Sequence, residues 1–238
     1  MKQISLLLLC LLGLCSYTSF DDEPVVQQVD ISDIENARPV TTLTNGKLIT
    51  WTKGIDGNGT GDGYLTQSAT AFNGDKNAHA LPDTPLIPGT ASHPEILLHY
   101  ANDDSVKSQA LAITGAGQFM ITVQQNYYSG MYLALTSSEG ASPLKIEMNY
   151  TDGTDFKDFL VPDYYRDLPA NDPNISYLLH DLAKWGPKNE MREKDHHNID
   201  LLNLHPNPKR RLLSIKIKKA QAGYLVFWAA TGVRQVNN

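Results

Sequence analysis

Cysteine is nearly absent. The only two, Cys10 and Cys15, fall in the apolar segment that opens the chain. The remainder therefore carries no disulfide framework, no thiolate nucleophile and no cysteine-based zinc site. Beyond that opening, no stretch reaches the roughly 18 apolar residues that a membrane-spanning helix needs. A positive charge excess is missing too: 20 Lys and Arg stand against 26 Asp and Glu, a net charge of −6. General nucleic-acid binders neutralise phosphates with a basic face, so that class is excluded. Neither a G-x-S-x-G elbow nor an H-E-x-x-H pair occurs, which removes two common hydrolase signatures. No repeat of fixed period and no low-complexity tract is found. What remains is 238 residues, 41% of them hydrophobic, enough for one large domain with its own core.

The first residues read as an address. Met1-Lys2 is followed by almost unbroken apolar sequence over residues 4–14, then by the small and polar residues Ser16 to Ser19. That is the pattern of a secretory signal peptide, with cleavage near Ser19. The expected destination is secreted, periplasmic or cell-surface. A lipid-anchored variant through Cys15 is the alternative, although the bulky Leu14 stands where a small residue is expected. Three N-x-[ST] triplets begin at Asn58, Asn149 and Asn174; they are glycan acceptors only in a eukaryotic secretory pathway. Residues 20–40 read as an acidic linker or flexible arm. Residues 41–238 form the expected single domain.

That body reads as short strands broken by turns. Strands are expected over residues 47–51, 120–123 and 131–136. Residues 144–150 alternate apolar and polar, as a half-buried strand does. Asp152-Gly153 accepts the backbone of a tight hairpin, so the chain should return over 156–161. Residues 212–218 alternate with lysines on the wet face, and 224–230 are apolar on both faces, as in a doubly covered strand. One stretch has helical spacing: Leu178, Leu179, Leu182 and Trp185, stopped by Gly186-Pro187, predict a short helix over 176–185. The expected class is all-β, an antiparallel jelly-roll β-sandwich with one short helix.

Four groups of residues could carry chemistry. Asp56, Asn58, Thr60 and Asp62 place oxygen-bearing side chains at every second position of a glycine-rich loop, a candidate structural Ca²⁺ site. It opens like an EF-hand loop but has Gln67 where the bidentate glutamate belongs; without metal, the same residues make a turn. His196-His197, preceded by Asp195, is the densest histidine pair, yet zinc-ligand spacing is absent. Neighbours on a strand point to opposite faces, so one should pack inside while the other meets water. Asp155, Asp158, Asp163, Asp167 and Asp181 include no pair that spacing alone marks as the two carboxylates of a glycosidase. Finally, Tyr127-Tyr128 and Tyr164-Tyr165 sit in predicted loops, and Trp185 ends the predicted helix. Their flat rings can stack on sugar CH faces while Asp163 and Arg166 bond hydroxyls. Against this, one tyrosine of such a pair commonly belongs to the core.

The strand over 131–136, the Tyr150-Thr151-Asp152-Gly153-Thr154 turn, the Val161-Pro162-Asp163-Tyr164 segment and the closing strand over 224–232 form one pattern. From about Leu81 to Val233 it resembles the galactose-binding-like jelly roll of exported proteins. The resemblance implies a carbohydrate-binding module, often with a structural Ca²⁺. No catalytic domain is expected after Gly232, because the chain stops shortly beyond it. The function expected is non-catalytic, exported glycan recognition through Tyr127, Tyr128, Tyr164, Tyr165, Trp185, Asp163 and Arg166. Two alternatives stand: a small metal-assisted or acid–base glycan hydrolase using Asp195, His196 and His197, and a structural or adhesion protein that meets a surface-protein partner.

Overall fold

The computed structural model describes residues 24–102 and 104–234. The expected signal peptide and both cysteines lie outside the described residues. Strand β1 is Val25–Val29, β2 Val40–Thr44, β3 Lys47–Ile49 and β4 Tyr64–Leu65. A short α-helix, α1, spans Gln67–Phe72. It is followed by β5 Leu86–Ile87, β6 Ile96–Leu97 and β7 Leu111–Thr114. The long strands come next: β8 Gly117–Asn126, β9 Tyr128–Ser138, β10 Ser142–Tyr150 and β11 Gly153–Val161. The last four are β12 Ile175–Trp185, β13 Met191–Asn203, β14 Leu212–Lys219 and β15 Tyr224–Arg234.

Two antiparallel sheets make an all-β sandwich. One has the order β1-β15-β9-β13-β12, with β7 also on β15; the other is β11-β10-β14-β8. The chain changes sheets between β7 and β8, β8 and β9, β9 and β10, β11 and β12, β13 and β14, and β14 and β15, which is jelly-roll wiring. Between the sheets, Phe119, Ile121, Leu133, Leu135, Ile146, Met148, Ile215, Ile217, Leu225 and Phe227 interdigitate. Alternation puts these residues on one face of each strand.

The larger sheet is covered on its second face as well. Val40, Ile55, Tyr64, Leu81, Ile96 and Tyr100, all from the first 110 residues, pack on Val226, Trp228, Ile199 and Leu201. Tyr64 stacks on Trp228 with ring centroids 6.0 Å apart. That second layer explains why β15 is apolar on both faces. A bulge between Phe227 and Ala229 shifts its alternation without exposing it.

The β10–β11 hairpin forms as expected, with Tyr150 paired to Gly153. Gly153 has φ 142°, which favours glycine. Two expectations are corrected. Residues 176–185 are not a helix but strand β12, and among the described residues the short α-helix lies at Gln67–Phe72 instead. Successive bulges against β13, at Leu179, Leu182 and Lys184, break the two-residue alternation and space the buried leucines as a helix would. Nor is the arm at 20–40 loose along its length. Val25–Val29 pairs through all five residues with β15, and Ala37 bridges Ala110.

Candidate functional site

The bulges that disguise β12 also build the site. From Leu179 to Leu182, β12 carries one more residue than the facing stretch from Ile199 to His197. From Leu182 to Lys184 the excess changes sides, and β13 loops out between His197 and Glu193. Asp181 (φ 56°) and His196 (φ 88°) absorb these bends in the left-handed region. Side-chain residues there cost about 1–3 kcal/mol each, and such strain gathers at functional sites. Asn198 helps hold the bend: its Oδ1 accepts from the Asp181 N–H at 3.3 Å. On the other side, His79 Nδ1–H donates to the Asp181 carbonyl at 2.8 Å.

The result is a polar concavity of about 100 Å³ lined by Tyr165, Asp167, Tyr177, His180, Asp181, His196 and Asn198. His180 Nδ1 lies 3.0 Å from the Asp181 carboxylate. The Tyr177 ring stands 5.4 Å from the His180 ring, and Tyr165 stands 6.0 Å from His196. Tyr177 OH accepts the Leu168 N–H at 2.7 Å, which pins the loop that carries Asp167.

Tyr165 is anchored by an ionic cluster centred on the buried Lys184 and Asp56, with Glu193 at its exposed edge. Its hydroxyl accepts from Lys184 Nζ at 2.6 Å and donates to Glu193 at 3.0 Å. The same ammonium lies 3.4 Å from Asp56, 3.4 Å from Asp62 and 3.3 Å from Glu193, with its side chain only 8% exposed. Burial alone would lower the lysine pKa. The Tyr165 hydrogen bond and the Asp56 and Glu193 charges override it and hold the ammonium above the usual lysine range. Asp62 moves the unfavourable way: burial and its neighbour Asp56 push it up more than Lys184 pulls it down. Lys184 serves three carboxylates, and the half-exposed Arg192 adds a second, longer contact of 3.8 Å to Asp62 alone of the three, so the two shifts reflect one crowded cluster. Tyr164 OH donates to Asp56 at 2.8 Å; burial and that carboxylate keep the phenol from ionising. His197 Nδ1–H donates to the Leu182 carbonyl at 2.7 Å, and burial holds its imidazole neutral.

The sequence candidates separate accordingly. Tyr165, Asp163 and Arg166 come together on one loop. Tyr164 is only 3% exposed and Tyr128 and Trp185 are 0%, so these three are corrected from stacking surfaces to core residues. Trp185 Nε1 donates to Asp75. Tyr128 OH donates to the Gln124 carbonyl. Tyr127 is half-buried beneath Arg211. The two tyrosine pairs do not converge, because Tyr128 starts β9 while Tyr164 is bonded to Ser137 near its end. That separation is roughly 30 Å of strand. Asp163 is also corrected as a hydroxyl ligand, since its oxygens accept the Gly140 and Tyr165 N–H groups.

His196 faces the concavity while His197 is buried behind it, and Asp195 is exposed. The three do not form one catalytic group. Tyr177, His180 and Asn198, with Lys184 and Glu193 below, were not among the sequence candidates, and Asp181 was named only as one of five carboxylates without a marked pair. Lys184 carried a readable signal: a charge between Ala183 and Trp185 in an apolar run demands buried partners.

The glycine-rich loop does not fit Ca²⁺. Asp56 and Asp62 turn inward to the Lys184 ammonium, which stands where a cation would. Asn58 is exposed, and Thr60 Oγ1 donates to the Gly57 carbonyl. Among the described residues, no group of three or more His, Cys, Asp or Glu is arranged to hold a metal. Gly61 serves close packing, as a Cβ there would meet Asp56 Oδ1 at 1.9 Å. Calcium and EGTA are expected to give the same melting temperature. A rise with calcium would contradict this, because a ligand held only by the folded state stabilises it by about 2.7 kcal/mol at a hundred times its Kd.

No protein-family model matches the chain, and no curated protein matches it in sequence. Among solved structures it is similar to the CBM22-1 and GH10 modules of Clostridium thermocellum endo-1,4-β-D-xylanase 10B complexed with xylohexaose. Identity is 5% and the TM-score 0.29, over 57% of this chain and 23% of that one. It is also similar to the xylan-binding module CBM15, with 11% identity and a TM-score of 0.29, over 63% and 89% of the two chains. The chain thus spans under a quarter of the first structure's length. Neither likeness bears on what this chain binds.

Proposed function

We propose that the protein is an exported, non-catalytic carbohydrate-binding domain whose site is the bulged concavity of β12 and β13. The observation that carries the proposal is the convergence there of Tyr165, Tyr177, His180, Asp181, His196 and Asn198 on two strained bends. Tyrosine rings offer flat faces to sugar CH groups, while carboxylate, amide and imidazole groups bond hydroxyls in defined directions. Size decides between ligand classes. Pockets that engulf a small molecule or cofactor run to about 300–1,000 Å³. At about 100 Å³, this one has room for roughly three waters. It therefore grips the hydroxyl-bearing edge of a sugar whose remainder lies along the surface. Export rests on the leader read from sequence, and the galactose-binding-like layout is part of the same proposal. No helix among the described residues is long and apolar enough to cross a membrane.

Glycan-array screening of the full chain tests this, followed by calorimetry on the best saccharide. His180→Ala changes an exposed side chain and should leave stability within about 0.5 kcal/mol. It should weaken binding about tenfold, the loss of a hydrogen bond worth some 1.4 kcal/mol. An array without saccharide hits, or unchanged affinity in His180→Ala and Asp181→Asn together, overturns the proposal.

A further inference from the structure

We infer that the ligand is a carboxylate-bearing oligosaccharide at least two residues long, whose acidic unit lies beyond Tyr165 against Arg166. This rests on the saccharide reading above and extends it to a second concavity.

Tyr165 lines not one hollow but two. It also stands in the wall of a groove of about 470 Å³, with Ala141, Leu160, Pro162, Asp163 and Arg166. Tyr165 therefore stands as a partition that both concavities share. It is a rigid partition: its hydroxyl is held by Lys184 and Glu193, and its ring packs on Tyr164 and His197 at 4.5 and 4.8 Å. A preorganised aromatic binds without the cost of being ordered. A ligand with one sugar edge in the first hollow continues over this ring into the groove.

The groove carries two charges on otherwise apolar and aromatic walls, the Asp163 carboxylate and the Arg166 guanidinium, and of the two the guanidinium has hydrogen-bond donors to offer a ligand. Asp163 is occupied by the Gly140 and Tyr165 N–H groups. Glu139, next to the groove, is turned away to accept the Gly57 N–H at 2.8 Å. Arg166 is exposed, with its backbone fixed by a 2.7 Å bond to the Asp163 carbonyl. No ion pair involves its guanidinium among the described residues. The first hollow, by contrast, is lined by Asp167 and Asp181, which suit hydroxyl donors and repel a carboxylate. The two hollows thus ask for different chemistry, neutral hydroxyls on one side of Tyr165 and an anion on the other. A planar guanidinium matches a carboxylate with two parallel hydrogen bonds.

The test is calorimetry of the full chain against uronic-acid oligosaccharides of one to four units, each paired with its methyl ester. Acidic oligomers of two or more units should bind at least tenfold tighter than their esters. Arg166→Gln should abolish that preference, so that acid and ester bind alike. Binding of esters and acids with equal affinity, or acid preference that survives Arg166→Gln, overturns the inference and leaves the saccharide reading standing. Failure of every oligosaccharide, neutral ones on the array included, overturns that reading instead.

Discussion

Replacing Lys184 with methionine is expected to cost about 3–5 kcal/mol of folding stability, a fall in Tm on the order of 10 °C for a domain of this size. The reason lies in what is left behind. Asp56 remains buried without its cation, the partly buried Asp62 keeps only Arg192 at 3.8 Å, and Tyr165 loses the donor that fixes its hydroxyl. A buried carboxylate without a counter-charge is far more costly than a buried pair. Restoring neutrality should restore stability, so adding Asp56→Asn and Asp62→Asn to Lys184→Met should recover most of the loss. Denaturant titration of the variants reads both effects. A single variant within about 1 kcal/mol of the parent would mean that water reaches the carboxylates and that the cluster is not buried. Because Tyr165 is the shared wall of both hollows, saccharide affinity should fall in Lys184→Met even where the protein remains folded.

Asp200→Asn should stabilise the protein above pH 7, by at most about 4 kcal/mol. Asp200 is only 2% exposed on β13, and its Oδ1 has no hydrogen-bond partner. Burial pushes its carboxyl from an ordinary 3.8 up to about 7. A folded-state pKa above the unfolded one means that the folded protein binds the proton more tightly. The stabilising contribution is therefore complete below about pH 4 and is lost as pH rises to 7. Above that, the parent carries a buried charge that the amide does not. Glu35, raised by burial to about 7, works in the same direction. His197 opposes both, since its buried neutral ring makes folding harder as pH falls below about 6.5. The difference between parent and Asp200→Asn isolates one group from this mixture. A difference that does not change between pH 4 and 8 would mean that Asp200 is solvated.

The parts of the fold legible in the sequence are those where local rules act unopposed. Residues 144–150 alternate cleanly because β10 has one face on the core and one on water, and Asp152-Gly153 closes its hairpin. The run at 224–230 is apolar throughout because β15 is covered twice. β12 was opaque for the opposite reason: its leucines sit where bulges put them, and 3–4 residue spacing follows from interrupted alternation as well as from a helix. β1 was masked by the acidic and proline residues just before it, although Val25 to Val29 suits a strand.

Much the same divides the site. Tyr165 and Arg166 stood out as loop residues, but nothing local distinguishes Tyr165 from Tyr164 beside it. The turn that carries both packs the two rings together 4.5 Å apart, with Tyr164 beneath in the core and Tyr165 at the rim. His180, Asp181, His196 and Asn198 meet only across two strands whose register slips. The spacing of Asp56 and Asp62 suggests Ca²⁺ ligands on one loop, whereas their carboxylates meet an ammonium contributed more than a hundred residues away, which no local pattern announces.

The central claim is that a saccharide seats between the histidines of β12 and β13. It is tested most directly by following the imidazole resonances of the full chain by NMR while titrating the best array saccharide. His180 and His196 should shift together, saturating at the calorimetric Kd, while His93 and His99 stay fixed. Saturable binding that leaves His180 and His196 unmoved would place the ligand elsewhere on the sandwich and contradict the account.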